Sequence, residues 1–183
     1  MENDTPTRMK LREARFFLGH LREIEARSKY LDREDFDFYL NAFLTACRSV
    51  TFVLQAEFGN NVAYRAWFDP WIESRSNADK ILLEFMNAQR LTVIHVEGTA
   101  ERERVVELIE EPWSSGAGSS GYQHAAGFSY MAMGFERGRI EVARHYFKIG
   151  DGRRPVVEVC GAATQLVREV VEAFYAQFPL KPQ

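Results

Sequence analysis

Apolar residues recur every three or four positions along much of this chain, the spacing that lays them on one stripe of a helix. From Thr7 to about Leu31 the stripe is Leu11, Ala14, Leu18, Leu21, Ile24 and Leu31, with Arg, Lys and Glu on the other face. Glu34 to Phe58 repeats it more strongly through Phe36, Tyr39, Leu40, Phe43, Leu44, Cys47, Val50, Val53, Leu54 and Phe58, and Gly59 supplies a stop. Asn60 to Trp71 is a shorter aromatic segment that Pro70 is expected to end or kink. Ser76-Asn77 offers a cap and Asp79 a first-turn carboxylate for a third long helix, which runs through Ile81, Leu82, Phe85, Met86, Val93 and Ile94 and closes at Gly98.

The pattern then changes. Thr99 to Trp113 is dense in Glu and Arg, yet Val105-Val106 and Leu108-Ile109 ahead of Pro112 tip it toward strand. Ser114 to Gly127 is rich in Gly and Ser and reads as a surface loop. Phe128 to Phe135 and Ile140 to Ile149 carry aromatic and β-branched residues on either side of Glu136-Arg137-Gly138-Arg139, the outline of a hairpin, and Gly150 to Pro155 turns the chain again. From about Val156, a stripe of Val159, Ala163, Leu166, Val167, Val170, Phe174 and Phe178 marks a last helix that Pro179 stops. The sum is a mostly α protein, an antiparallel helical bundle with a β-hairpin insertion before the last helix. One domain over residues 1–183 is expected, with the insertion at 99–155.

Composition narrows the class. The 183 residues are 46% hydrophobic and 27% charged, ordinary for a globular chain long enough to bury a core. A net charge of −3 and a pI of about 5.9 argue against a broad electrostatic grip on nucleic acid, although 23 Lys and Arg leave room for a local basic groove. Met1 to Arg8 is polar and lacks a signal-like apolar run, and no run of apolar residues is long enough to span a bilayer. Cys47 and Cys160 sit alone on apolar helical faces, which fits buried thiols in a reducing cytosol.

The third long helix ends in Arg90-Leu91-Thr92-Val93-Ile94-His95. It sets a permanent cation beside the one side chain that titrates near neutrality. Arginine holds phosphate oxygens through parallel hydrogen bonds and histidine moves protons at cellular pH, the minimum equipment for cleaving RNA without a metal. On an unbroken helix, however, a five-residue step is about 140° of rotation and about 7.5 Å of rise. The pair converges only if the helix frays, if the long arginine wraps round, or if a second chain completes the site. The plainer alternative is a surface arginine and a histidine at a helix C-terminus, where its cation suits the dipole.

The stretch Asp79-Lys80-Ile81-Leu82-Leu83-Glu84-Phe85-Met86-Asn87-Ala88-Gln89-Arg90-Leu91-Thr92-Val93-Ile94-His95 resembles the signature helix of HEPN-domain proteins. The order of elements is similar too: long helices, an Arg-x4-His motif ending a helix, and a closing helix. Tyr64-Arg65-Ala66-Trp67-Phe68 is similar to a segment of certain bacterial members. The resemblance covers Phe36 to His95 best and the last helix more loosely. It implies a metal-independent endoribonuclease, of toxin or defence type, built as a homodimer in which the motifs of two chains meet at one groove. His95 would serve the proton transfers as the 2′-hydroxyl attacks its own phosphate, and Arg90 would steady the charge on the phosphoryl oxygens. The residue after the arginine, polar in the family, is Leu91, and Asn87 one turn earlier would take over part of its orienting role. RNA and an antitoxin protein are the implied partners, and no cofactor is implied. Glu97 stands where a subgroup carries a tyrosine that is nucleotidylated, so that regulation is not expected here.

Other patterns carry less. Gly116-Ala117-Gly118-Ser119-Ser120-Gly121 spells G-x-G-x-x-G but lacks the flanking strand and helix of a dinucleotide site. His20 with Glu23, and Glu141 with His145, are spaced for two ligands on a helix face, but the paired motifs of a di-metal bundle are missing, and no metal is expected. Trp67, Phe68 and Trp71 are read as core or interface before base-stacking platforms. Arg8, Arg12, Arg15, Arg22 and Arg27, interleaved with Glu13, Glu23 and Glu25, are read as a solvated helix face. Leu91 and the acidic pI leave two other functions open: a non-catalytic module binding nucleotides or a protein, and a structural oligomer with rings in its interface.

Overall fold

The computed structural model describes residues 5–26, 33–58, 62–95, 100, 102–110 and 139–179. Among them are α1 (Pro6–Ala26), α2 (Arg33–Glu57), α3 (Val62–Glu73), α4 (Asn77–His95), β1 (Glu103–Glu110), β2 (Arg139–Ile149), β3 (Gly152–Pro155) and α5 (Val156–Gln177). The protein is mostly helical, with a small antiparallel sheet before the last helix, as the periodicity predicts.

α2 and α5 form the centre, and α1 and α4 each pack on both. Most residues of the stripes read from sequence in α1, α2 and α5 meet, whereas Ile81 and Ile94 of the stripe read in α4 are exposed. α1 buries Thr7, Leu11, Ala14, Leu18 and Leu21, a strict alternation of four- and three-residue steps that suits a long seam with its neighbours. α2 contributes Phe36, Leu40, Phe43, Leu44, Cys47, Val50 and Leu54 to the core. α5 answers with Val156, Val159, Ala163, Val167, Val170 and Phe174, and buries one face from Val156 to Tyr175. Cys47 and Cys160 are buried, unpaired thiols.

A polar knot fixes the end of the bundle where α1 begins and α2 and α5 finish. Thr5 caps α1: its hydroxyl accepts the Arg8 N–H at 3.2 Å, and Pro6 follows at a position whose N–H would have no helical partner. The backbone N–H and hydroxyl of Thr7 donate to the two oxygens of Glu57, at 3.0 and 2.7 Å. Tyr175 donates to the same carboxylate at 2.7 Å and meets the Thr5 hydroxyl at 2.8 Å. One carboxylate thus ties three helices.

α3 is held by rings. Tyr64 and Trp67 pack against Phe174, with centroids 5.5 and 5.1 Å apart, and Phe68 stacks on Tyr64. These aromatics staple α3 to α5, the core role expected of them. Pro70 does not end this helix, which runs on to Glu73. That the helix continues past it has a simple cause: the lost N–H affects only the Ala66 carbonyl, on an exposed residue where water can satisfy it, and the helix is one turn from its end. Ser76 then caps α4, accepting the Asp79 N–H at 3.2 Å and donating to the Asp79 carboxylate at 2.8 Å.

The sheet is ordered β1-β2-β3, all antiparallel. The first arm of the expected hairpin, Phe128 to Phe135, lies outside the described residues, and its second arm is β2. The segment from Ile140 pairs with β1, Ile109↔Ile140 being one register pair, and with β3 across a two-residue turn at Gly150-Asp151. Gly150 adopts φ 61°, a conformation that glycine reaches without strain, which lets the chain reverse so tightly. Phe128 to Phe135, Gly59, Gly98 and the Gly/Ser run lie outside the described residues. Ala143, His145 and Phe147 alternate inward on β2. His145 stacks on Phe36 at 3.9 Å and accepts from Arg102 Nε at 3.1 Å, and Arg102 pairs with Asp37 at 2.7 Å. His145 is a core histidine joining the sheet to the start of α2.

Two outcomes follow for stability. Phe174→Ala should cost about 3–5 kcal/mol in urea titration, because five aromatic neighbours lose their common partner. Burial pushes the Tyr175 phenol above its ordinary pKa. Its stabilisation is then full below the unfolded value of about 10 and is lost as pH climbs through the raised folded value. Stability should fall in the alkaline range, with a shallower slope in Tyr175→Phe.

Candidate functional site

α4 carries the expected site residues and packs along α2 and α5. It remains α-helical to His95, so fraying does not bring Arg90 and His95 together. Their Cα–Cβ directions differ by about 140° along an axis step of about 7.5 Å. Within one chain the two are therefore not presented on one face. The His95 side chain lies outside what the structure describes.

Arg90 instead has a different neighbour, Arg48. Both guanidiniums lie over the Phe52 ring, at 4.1 Å for Arg48 and 5.9 Å for Arg90. Phe52 is 46% exposed, so this pair sits at the surface of the bundle rather than in its core. Asn87 sets the geometry: its side-chain oxygen accepts from Arg48 Nε at 3.1 Å, while Thr51 accepts from the Arg48 terminus. The orienting role expected of Asn87 thus has a structural counterpart, but the group it holds is an arginine of α2.

The electrostatics are unusual. Burial first, and then the charge of Arg90, pushes the Arg48 guanidinium below its ordinary pKa. No carboxylate among the described residues pairs with either arginine, and the Arg90 Nε is buried without a hydrogen-bond partner. Two like charges held together without a counter-charge are costly unless an anion joins them. Such an arrangement is suited to oxygens of a phosphate or carboxylate.

Two hollows adjoin Arg48. One, of about 340 Å³, opens between α2 and α3 and is lined by Phe52, Gln55, Tyr64, Arg65 and Asp69 beside Arg48. Burial raises the Tyr64 hydroxyl to about 12, so it remains a hydrogen-bond donor at any physiological pH. The other, of about 330 Å³, reaches between α2, α3, α4 and α5 and is mostly apolar. Arg48, Thr51 and Phe68 belong to both walls.

Arg48 escapes a reading centred on the histidine motif. A signal was present nevertheless: it is the lone charged residue between Asp37 and Glu57 on a strongly apolar helix. Of the proposed metal spacings, His20 contacts Glu23 at 3.6 Å and stacks on Tyr39, whereas Glu141 and His145 lie on a strand. Among the described residues no group of three or more His, Cys, Asp or Glu is placed to hold a metal. No described helix is long and apolar enough to cross a membrane. No known protein family, characterised protein or solved structure matches the chain at a significant level of similarity.

The cation pair predicts a measurable penalty. Arg90→Met, which keeps the apolar stem and removes the charge, should stabilise the protein by roughly 0.5–1 kcal/mol at low salt. The gain should shrink as ionic strength rises in urea titrations. A loss of stability at every salt concentration would mean that Arg90 already has a partner.

Proposed function

We propose that this protein is a metal-independent endoribonuclease of the HEPN kind, acting as a homodimer in the cytoplasm as a toxin or defence component. The observation that carries the reading is the juxtaposition of Arg48 and Arg90, two guanidiniums with no carboxylate partner among the described residues, on the helix pair whose motif helix ends in His95. Their charge suits the phosphate of an RNA strand, which supplies the missing anion. The neighbouring hollow with Phe52, Tyr64 and Arg65 offers rings and a further cation to a flanking nucleotide.

In the proposed reaction the RNA 2′-hydroxyl attacks the adjacent phosphorus and the 5′-oxygen departs. The products are a 2′,3′-cyclic phosphate and a 5′-hydroxyl end. His95 serves one of the two proton transfers, from the 2′-hydroxyl or to the leaving oxygen. Arg90, with Arg48 beside it, neutralises charge as it builds on the non-bridging oxygens. Asn87 acts as a positioning residue through its bond to Arg48.

The unbroken α4 makes the second chain part of this mechanism. Because one helix turns Arg90 and His95 to different faces, the histidine meeting a given arginine comes from the twin subunit. Leu91 is 42% exposed and Ile94 45% exposed on the flank of the motif, an apolar surface for such a partner. An antitoxin protein would act by covering the same groove.

A second reading, a non-catalytic module that binds nucleotides or a protein, is favoured by one detail. Leu91 faces outward where a polar group would otherwise assist the chemistry. Salt-dependent RNA affinity without cleavage would establish it.

The test is incubation of single-stranded RNA with the protein in a chelator, with the product ends identified. Wild type should yield 5′-hydroxyl ends, and His95→Ala should lower the rate by about 10²–10⁴-fold. Expression should arrest growth, with relief by Arg90→Ala. If wild type and His95→Ala cleave alike, or neither cleaves the RNAs offered, the enzyme reading fails.

A further inference from the structure

The apolar hollow between α2, α3, α4 and α5 plays no part in the nuclease proposal. Its walls come from deep in the bundle: Leu44, Cys47, Met86, Val167 and Val170 are all core residues. Protein interiors are close-packed and seldom leave voids much larger than a water molecule. A hollow of about 330 Å³ is at the lower bound of small-molecule sites. Cys47 adds no reactivity, since burial raises its thiol to about 12, and it serves as a small apolar surface.

The charges at the wall are distributed unevenly. Lys80 is already engaged by Glu73 at 2.9 Å, and Glu84 is exposed to water. Arg48 is the cation whose charge no described carboxylate answers. Its Nε is committed to Asn87 and one terminal N–H to Thr51. The remaining N–H groups lie on the two terminal nitrogens, the edge that takes both oxygens of a carboxylate. The rest of the wall is mainly aliphatic, with Phe68 as its ring. A nucleobase there would bury several donors and acceptors with few partners, whereas an alkyl chain would bury none.

We propose that this cavity binds a medium-chain aliphatic carboxylate, its head on Arg48 and its chain between Leu44, Met86, Val167 and Val170. The site shares Arg48 with the nuclease reading but does not depend on it, and binding is measured with no RNA present. The probes are hexanoate, octanoate and decanoate, titrated calorimetrically into the full chain below their aggregation limits. Affinity should rise about fourfold with each added methylene that the cavity buries. Decanol, which keeps the chain and lacks the charge, should bind about tenfold more weakly than decanoate or worse, and Arg48→Gln should lose a similar factor for decanoate. Ile72→Trp, which narrows the wall from α3, should abolish binding while its thermal transition shows an intact fold. Absent heat of binding for all three acids overturns the proposal. So does affinity independent of chain length, equal affinity for decanol, equal affinity in folded Arg48→Gln, or inorganic phosphate binding as tightly as decanoate.

Discussion

Two guanidiniums share one aromatic ring on this protein, and the functional account depends on their having no counter-charge among the described residues. Arg48 comes from α2 and Arg90 from α4, so their meeting is a product of tertiary packing rather than of local sequence. Asn87 holds the first through its side-chain oxygen, and Phe52 gives both a partly desolvated surface. Repulsion between them is tolerable because the bundle around them is secured elsewhere. The Glu57 knot closes one end, α5 buries one face from Val156 to Tyr175, and the Asp37–Arg102 pair anchors the sheet. Stability lodged in those places allows a strained electrostatic arrangement at this one.

A second constraint is geometric. α4 stays helical through its last residue, and this separates the arginine and histidine of its motif. The proposed catalysis therefore takes them from two chains. The outward Leu91 and Ile94 are compatible with such pairing, because they give the motif an apolar border that a monomer leaves in water. Arg48 also connects the two hollows. On one side it faces a polar cleft with rings and a further arginine, and on the other an aliphatic cavity reaching the core. An anion held from the first side and one held from the second would compete for the same guanidinium.

Much of this fold is legible in the residue pattern, and the reason is physical. α1, α2 and α5 each bury one stripe against the others, so three- and four-residue spacing reports the buried face directly. The Ser76-Asp79 cap and the start of α5 at Val156 are likewise local features. What escaped depended on distant partners. Residues 140–149 read as a strand, but that their partners are β1 and β3 cannot be deduced from their own alternation. Pro70 is tolerated inside α3 because the carbonyl it strands is exposed and near a helix end, facts that belong to packing. The site shows the same division. Arg90, His95 and Asn87 were visible as a motif on one helix, whereas Arg48 entered only when α2 was laid beside α4.

The central claim is that an arginine of one subunit works with the histidine of its twin, and complementation tests it most directly. Arg90→Ala and His95→Ala chains, each inactive alone, are unfolded together, refolded as a mixture and assayed for RNA cleavage. Mixed dimers carry one intact Arg90–His95 combination across the interface, so activity should return to roughly a quarter of wild type, given random pairing and an independent contribution from each site. A mixture that forms mixed dimers and stays as inactive as its two components would contradict the account.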